Sequence, residues 1–181
     1  ERAQRLREHY GRLFDEEIAA HARKAEDPTV EIPVPDGDYP VRNRYPDEVR
    51  PAQIEVAKLL YGIYGVERAD IEGRNRVNRR NVTAFDAPVM GFVFVHEEML
   101  PWSAMDAGLM LQTLFLSAKS RGVDSCPVGI LATWREPVDA EFEIPEHYRF
   151  ITGFALGYAD PEALINTMEA PRPPIQLLEG K

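Results

Sequence analysis

A chain of 181 residues suits one domain, and 44% apolar residues suffice for a buried core. The net charge of −9 argues against nucleic acid or an anionic membrane as the main partner. One cysteine excludes an intramolecular disulfide, and with no long apolar run and no leader-like segment the expectation is a soluble cytoplasmic protein.

From Arg2 to Lys24, Leu6, Tyr10, Leu13, Phe14 and Ile18 recur at spacings of three and four, which predicts an amphipathic helix. Arg5, Glu8, Arg12, Glu16 and Arg23 fall on its other face as a solvated ladder of opposite charges. Residues 27–51 hold six prolines and few aliphatics, so this stretch reads as an irregular excursion of the kind that forms lids or stays disordered, with turn signals in PDGDYP. Pro51 suits the first turn of a helix over Ala52–Tyr64 that Gly65 ends. A third helix is predicted from about Glu67 to Asn81. Its Arg68, Arg74, Arg76, Arg79 and Arg80 form either an anion-attracting patch or, the reading favoured here, a solvated basic face.

Ala87–His96 is almost wholly apolar and β-rich, as expected of a central strand buried on both faces. His-Glu-Glu follows, without the second histidine a zinc helix requires, so no metal is expected. Between Ser103 and Arg121 apolar residues occupy more than one face, predicting a core helix about 28 Å long enclosed on several sides. Lys119, Arg121 and Gly122 mark its end. A strand over Val123–Cys126, a Pro/Gly loop, a helix near Glu136–Phe142 and a strand over Tyr148–Tyr158 follow. The proline-rich arm 160–181, with Ile165, Met168, Ile175, Leu177 and Leu178, has no evident place in its own core and suits a partner subunit. The element order implies a mixed α/β or α+β sheet flanked by helices.

Among the residues that bear chemistry, no Ser-His-Asp set, P-loop or paired-carboxylate motif is legible, and Cys126 reads as a small buried hydrophobe. Such a chain can still be an enzyme when a cofactor carries the reaction.

Asp106, Gly108, Gln112, Thr113 and Leu114, then Gly122, Ser125 and Cys126, then Ile144, Pro145 and Glu146, then Gly153, Leu156, Gly157 and Tyr158, and finally Arg172 occur in an ordered series. That series resembles the FMN-dependent nitroreductase family, in its nitroaromatic and nitrobenzoate reductase branch. The resemblance implies a nitroreductase-like α+β fold over residues 1–181, a homodimer with exchanged C-terminal arms, FMN as cofactor and NAD(P)H as hydride donor. A ping-pong cycle would reduce nitroaromatics, quinones or similar small aromatic acceptors. In the family a loop leaving a strand offers a backbone N–H to flavin N5, a role that falls on Pro127, Val128, Gly129 and Ile130. A tight strand-end turn is the plainer reading of the same residues.

Arg172 corresponds to the family's phosphate-binding arginine, whose fork suits a phosphate, or is plain tail. Trp102 and Ser103 match positions near the substrate pocket, where an indole stacks on an aromatic acceptor or simply joins the core. The family's R-R-S-x-R and P-S-x-x-N-x-Q-P-W segments do not occur in these 181 residues, so this part of the FMN site is expected to be lacking. Two alternatives follow: a flavin-free dimeric binding module of the same fold, and a flavin enzyme of this fold with another substrate, such as a reductive dehalogenase.

Overall fold

Three antiparallel strands form one sheet: β1 (Val89–His96), β2 (Asp124–Val128) and β3 (Tyr148–Gly157), in the order β1-β3-β2. The computed structural model describes residues 1–41, 44–172 and 174. The sheet lies in the first of two compact units, Glu1–Asn43 with Asn75–Ala159; the second comprises Arg44–Arg74 with Asp160–Lys181.

The apolar run of β1 does not make it central, because β3 holds the middle and β1 is an outer strand among the described residues. Its side chains nevertheless serve two cores. Met90, Phe92 and Phe94 pack on one face, and Val93 and Val95 on the other. A register shift opposite Val93 and Phe94 leaves Ile151 unmatched. That bulge shifts the alternation of β3 by one, so Phe150 and Ala155 both point into the first core although they are an odd number of residues apart.

The first core is closed by α1 (Arg2–Glu26), which contributes Leu6, Tyr10 and Leu13, and by the 3-10 turn Gly129–Thr133. The helix spacing read from the sequence holds here, with Glu17 and Ala20 buried besides. Tyr10 is 1% exposed and donates its hydroxyl to the Trp134 carbonyl at 3.2 Å. Burial pushes its phenol well above the usual range, and Asp36 and Asp139 add to the shift. Leu131 packs directly on Gly153, where a Cβ would stand 2.5 Å from Leu131 Cδ1; the family-like glycine of β3 therefore answers to packing.

On the opposite face lies α4 (Trp102–Lys119), ended by Gly122 in the left-handed region at φ 75°. The enclosure expected of this helix is not met within the chain. Only Ala107 and Leu111 are buried, while Trp102, Met105, Leu109, Met110 and Leu116 are exposed, because the small sheet covers a single face of the helix. The helix expected over Glu136–Phe142 is one turn, α5 (Glu136–Asp139), with Pro137 in its first turn.

In the second unit, α2 (Arg50–Ile63) carries Pro51 in its first turn, and Gly65 follows it at φ 62°. The Leu164–Thr167 turn contacts α2, and Ile165 and Met168, expected to lie on a partner, are half-buried. Ile175, Leu177 and Leu178 lie outside the described residues. The basic helix is α3 (Ile71–Val82). Arg79 pairs with Asp15 through two nitrogens, and Arg74 lies 5.7 Å over the Tyr61 ring, so at least these two arginines have partners. No helix among the described residues is long and apolar enough to cross a membrane.

Candidate active site

The sheet's antiparallel register decides which sequence-predicted residues meet. Val128, the last residue of β2, pairs with Gly153, and His96, the last of β1, pairs with Tyr148 at the start of β3. Because α4 follows β1 and precedes β2, its first residues and the last residues of β2 lie toward the same end of the sheet. Trp102 and Ser103 and the 127–130 segment are thus brought to one end of the first unit. Arg172 is exposed in the second unit.

The segment expected as a Pro/Gly loop is half strand. Pro127 and Val128 belong to β2, which tolerates proline because it is an outer strand, and the turn begins at Gly129. Val128 is 1% exposed with its side chain in the core, so only its backbone is available to a ligand. Gly129 is exposed, and a Cβ there would find Thr152 Oγ1, at 3.9 Å, as its only neighbour within 4 Å. Ile130 is half-buried against the first core. Cys126 is half-buried against that same core, and burial pushes its thiol up, away from thiolate chemistry.

Trp102 is 69% exposed, so its indole is not core. Ser103 is only part-exposed, and its Oγ is buried with no hydrogen-bond partner among the described residues. A buried hydroxyl without a partner is costly, and with its oxygen closed to solvent it does not face a ligand in this conformation.

Sequence reasoning missed the charged cluster at this end. Asp38, from the proline-rich excursion, accepts from Arg135 Nη1 at 2.8 Å and from the Phe150 N–H at 2.7 Å. Its carboxylate also lies 3.6 Å from Arg149 Nη1. Asp36 accepts the backbone N–H groups of Arg135 and Glu136, at 2.7 and 2.9 Å. Burial works against the charge of Arg135, but Asp139 and Asp38 more than offset it and raise its pKa.

Nearby, Glu97 accepts from Arg149 Nε at 2.7 Å and lies 3.0 Å from His147 Nδ1; these hydrogen bonds, His147's foremost, hold its carboxyl below the usual range. The Asp-Gly-Asp of PDGDYP, two acids flanking a residue free of Cβ constraint, was the available signal, but it read only as a turn. Among the described residues no group of three His, Cys, Asp or Glu side chains is arranged to hold a metal.

Comparisons with known proteins bear on the family and the fold. A sequence model of the nitroreductase family covers residues 2–158. The chain is 35% identical over 124 residues to a 4-nitrobenzoate reductase of Pseudomonas putida, covering 68% of this chain and 54% of that protein. It is 36% identical over 109 residues to a chloronitrobenzene nitroreductase of Comamonas testosteroni, covering 60% of this chain and 48% of the relative. The chain therefore spans about half the length of these curated relatives. The crystal structure of an FMN and NADPH-dependent nitroreductase, NfnB of Sphigopyxis sp. strain HMH, superposes with a TM-score of 0.79 at 27% identity, over 100% of this chain and 77% of that one. With the family model covering nearly the whole of the first unit, and with the same fold in that solved structure, the chain belongs to the nitroreductase family.

Proposed function

We propose that this chain forms a single nitroreductase-like domain of a cytoplasmic, homodimeric, FMN-dependent NAD(P)H oxidoreductase. It would reduce nitroaromatics, quinones or similar acceptors by a ping-pong exchange, in which the nicotinamide leaves before the acceptor enters. The observation that carries the reading is the Gly129 turn: exposed backbone with room for a side chain or a ligand beside Thr152, at the sheet end where Trp102 and Ser103 also lie.

The residues present would hold part of FMN, the family's R-R-S-x-R and P-S-x-x-N-x-Q-P-W segments not occurring among them. Gly129 and Ile130 would hold the edge of its ring through backbone N–H groups, with no side chain at Gly129 to keep the ring away. Val128, locked in the core, fixes the height of that turn. Arg172 would hold the phosphate through its guanidinium fork. When bound, FMN supplies the hydride chemistry that no side chain of this chain provides. The exposed Trp102 offers an aromatic face for stacking an acceptor, with Ser103 next to it at the start of α4.

The exposed apolar stripe of α4 supports the homodimer, since a stripe of this kind calls for cover. An exchange of the arm 160–181 between subunits is part of the same proposal.

The test is spectroscopic and kinetic. Full-length protein carrying this chain should be yellow, or become so with added FMN, and should reduce a nitroaromatic with NADPH or NADH. Arg172→Ala should weaken FMN binding about tenfold or more while leaving the fold unchanged, because it removes a charge-assisted pair. A colourless, folded protein that takes up no FMN would defeat the proposal and favour a flavin-free module.

A further inference from the structure

The excursion that precedes the second unit is tied to the turn at the end of β2, although almost 100 residues separate them in sequence. Gly37 donates its N–H to the Thr133 carbonyl at 3.1 Å, and a Cβ at Gly37 would collide with the Ala132 carbonyl oxygen. Two backbones therefore run in direct contact, an approach open only to glycine. Asp36 on one side caps α5 by accepting the N–H groups of Arg135 and Glu136.

Asp38 on the other side takes the N–H of Phe150. That donor needs a partner because β2 ends at Val128, opposite Gly153, leaving Phe150 beyond its reach on β3. Arg135 completes the clamp, reaching Asp38, Asp139 and the Tyr148 carbonyl from one guanidinium. Side chains of Asp38 and Arg135 are only 10% and 15% exposed, so the pair is shielded from solvent screening. The whole set grips the far end of the Gly129–Thr133 turn, while the near end is held by Val128 and by Leu131 seated on Gly153.

We infer that Asp36, Gly37 and Asp38 form a strap whose task is to set the position of the Gly129–Ile130 backbone, making Asp36 and Asp38 positioning residues for the reaction. The inference rests on the reading of that turn as the flavin contact. Leu131, Ala132 and Thr133 are buried at the middle and far end of the turn, and the strap adds a polar hold at that far end. With Asp36, Gly37 and Asp38 in place the turn is fixed at both ends, and the N–H groups of Gly129 and Ile130 keep one direction. Losing the strap should therefore disturb the flavin's surroundings and the rate, with nucleotide binding affected far less.

The experiment uses FMN-loaded full-length protein and compares wild type with Asp38→Ala, Asp38→Asn and Gly37→Ala. It reads thermal stability, visible circular dichroism of the flavin, flavin midpoint potential, and kcat and KM for NADPH with a nitroaromatic acceptor. The expected result for folded Asp38→Ala and Gly37→Ala is a kcat lower by about 10- to 100-fold. KM should change less than about threefold, and both the flavin dichroism and the potential should shift. Asp38→Asn keeps an acceptor for the Phe150 N–H and should recover part of the loss. If Asp38→Ala fails to fold, Asp38→Asn and Gly37→Ala are read in its place.

Wild type that binds and turns over FMN, alongside folded variants with unchanged kcat, dichroism and potential, would overturn the strap and leave the flavin reading standing. Wild type that binds no FMN would overturn both.

Discussion

On one face of the sheet, α1, the Gly129–Thr133 turn and α5 leave Leu131, Val138 and Phe150 at 0% exposure; on the other, α4 leaves Leu109 at 63% and Leu116 at 62%. Both faces are built from the same kinds of residue, so the difference is one of cover. The first face is completed by elements of this chain, which makes it the seat of the chain's own stability. The second presents an apolar helix with one side on the sheet and the other uncovered, which suits assembly with another surface. The Gly129 turn sits on the completed face and α4 on the uncovered one, so the candidate site draws its rigidity from one and its boundary from the other.

The largest expected effect lies on the closed face. Phe150→Ala removes a ring packed against Phe92 and Phe94, with centroids 5.7 and 5.0 Å away, and should cost about 3–5 kcal/mol in urea unfolding. Leu109→Ala, on the exposed stripe, should cost under about 0.5 kcal/mol in a monomer. Similar costs at the two positions in a verified monomer would erase the contrast.

Next comes assembly. If α4 is the dimer surface, Leu109→Glu combined with Leu116→Glu should convert the protein to a monomer in sedimentation velocity, since each leucine buried there contributes about 1.5–3 kcal/mol. An intact dimer in the double variant would move the interface elsewhere.

How far this contrast could be read from the sequence differs by element. The spacing of Leu6, Tyr10 and Leu13 identified the buried face of α1 because one helix face meets one core. The same kind of reading failed for α4, where all-round apolarity signalled burial but not what does the burying. Likewise the apolar run of β1 predicts a central strand because it records burial on two faces, and a strand at the edge of the described sheet, lying between two helical layers, meets that condition too. The Pro/Gly pattern after Cys126 predicts a loop at Pro127, whereas an outer strand needs no N–H from it and continues to Val128. Of the candidate site, the Gly129 turn was legible through the family pattern. The Asp36–Asp38 strap was not, since its partners lie about a hundred residues away and no local periodicity encodes a contact of that range.

A smaller effect should come from Gly153→Ala. The added methyl would meet Leu131 Cδ1 at 2.5 Å, and overpacking of this kind costs about 1–3 kcal/mol. Combining it with Leu131→Val should recover part of the cost if the contact is the cause. Full additivity of the two losses would assign the glycine to backbone conformation instead.

The smallest effect is one of charge. Glu141 is bound through both oxygens to Arg5 of α1, at 2.6 Å each, and the Arg5 hydrogen bond holds its carboxyl below the usual range. Glu97 is held down likewise by His147 and Arg149, at the end of the sheet where the candidate site lies. A carboxylate whose folded pKa is depressed contributes stability that is present above its unfolded pKa and fades as pH falls through the folded one. Stability should therefore decline below about pH 4, where ordinary carboxylates begin to protonate in the unfolded chain. Glu141→Gln should flatten that decline in thermal melts through the anchoring of α1. Glu97→Gln should flatten it too, through loss of the hydrogen bonds to His147 and Arg149 at the end of the sheet. A variant whose melting temperature falls as steeply as that of wild type below about pH 4 would remove its carboxylate from the account and leave only an exposed ion pair of little worth.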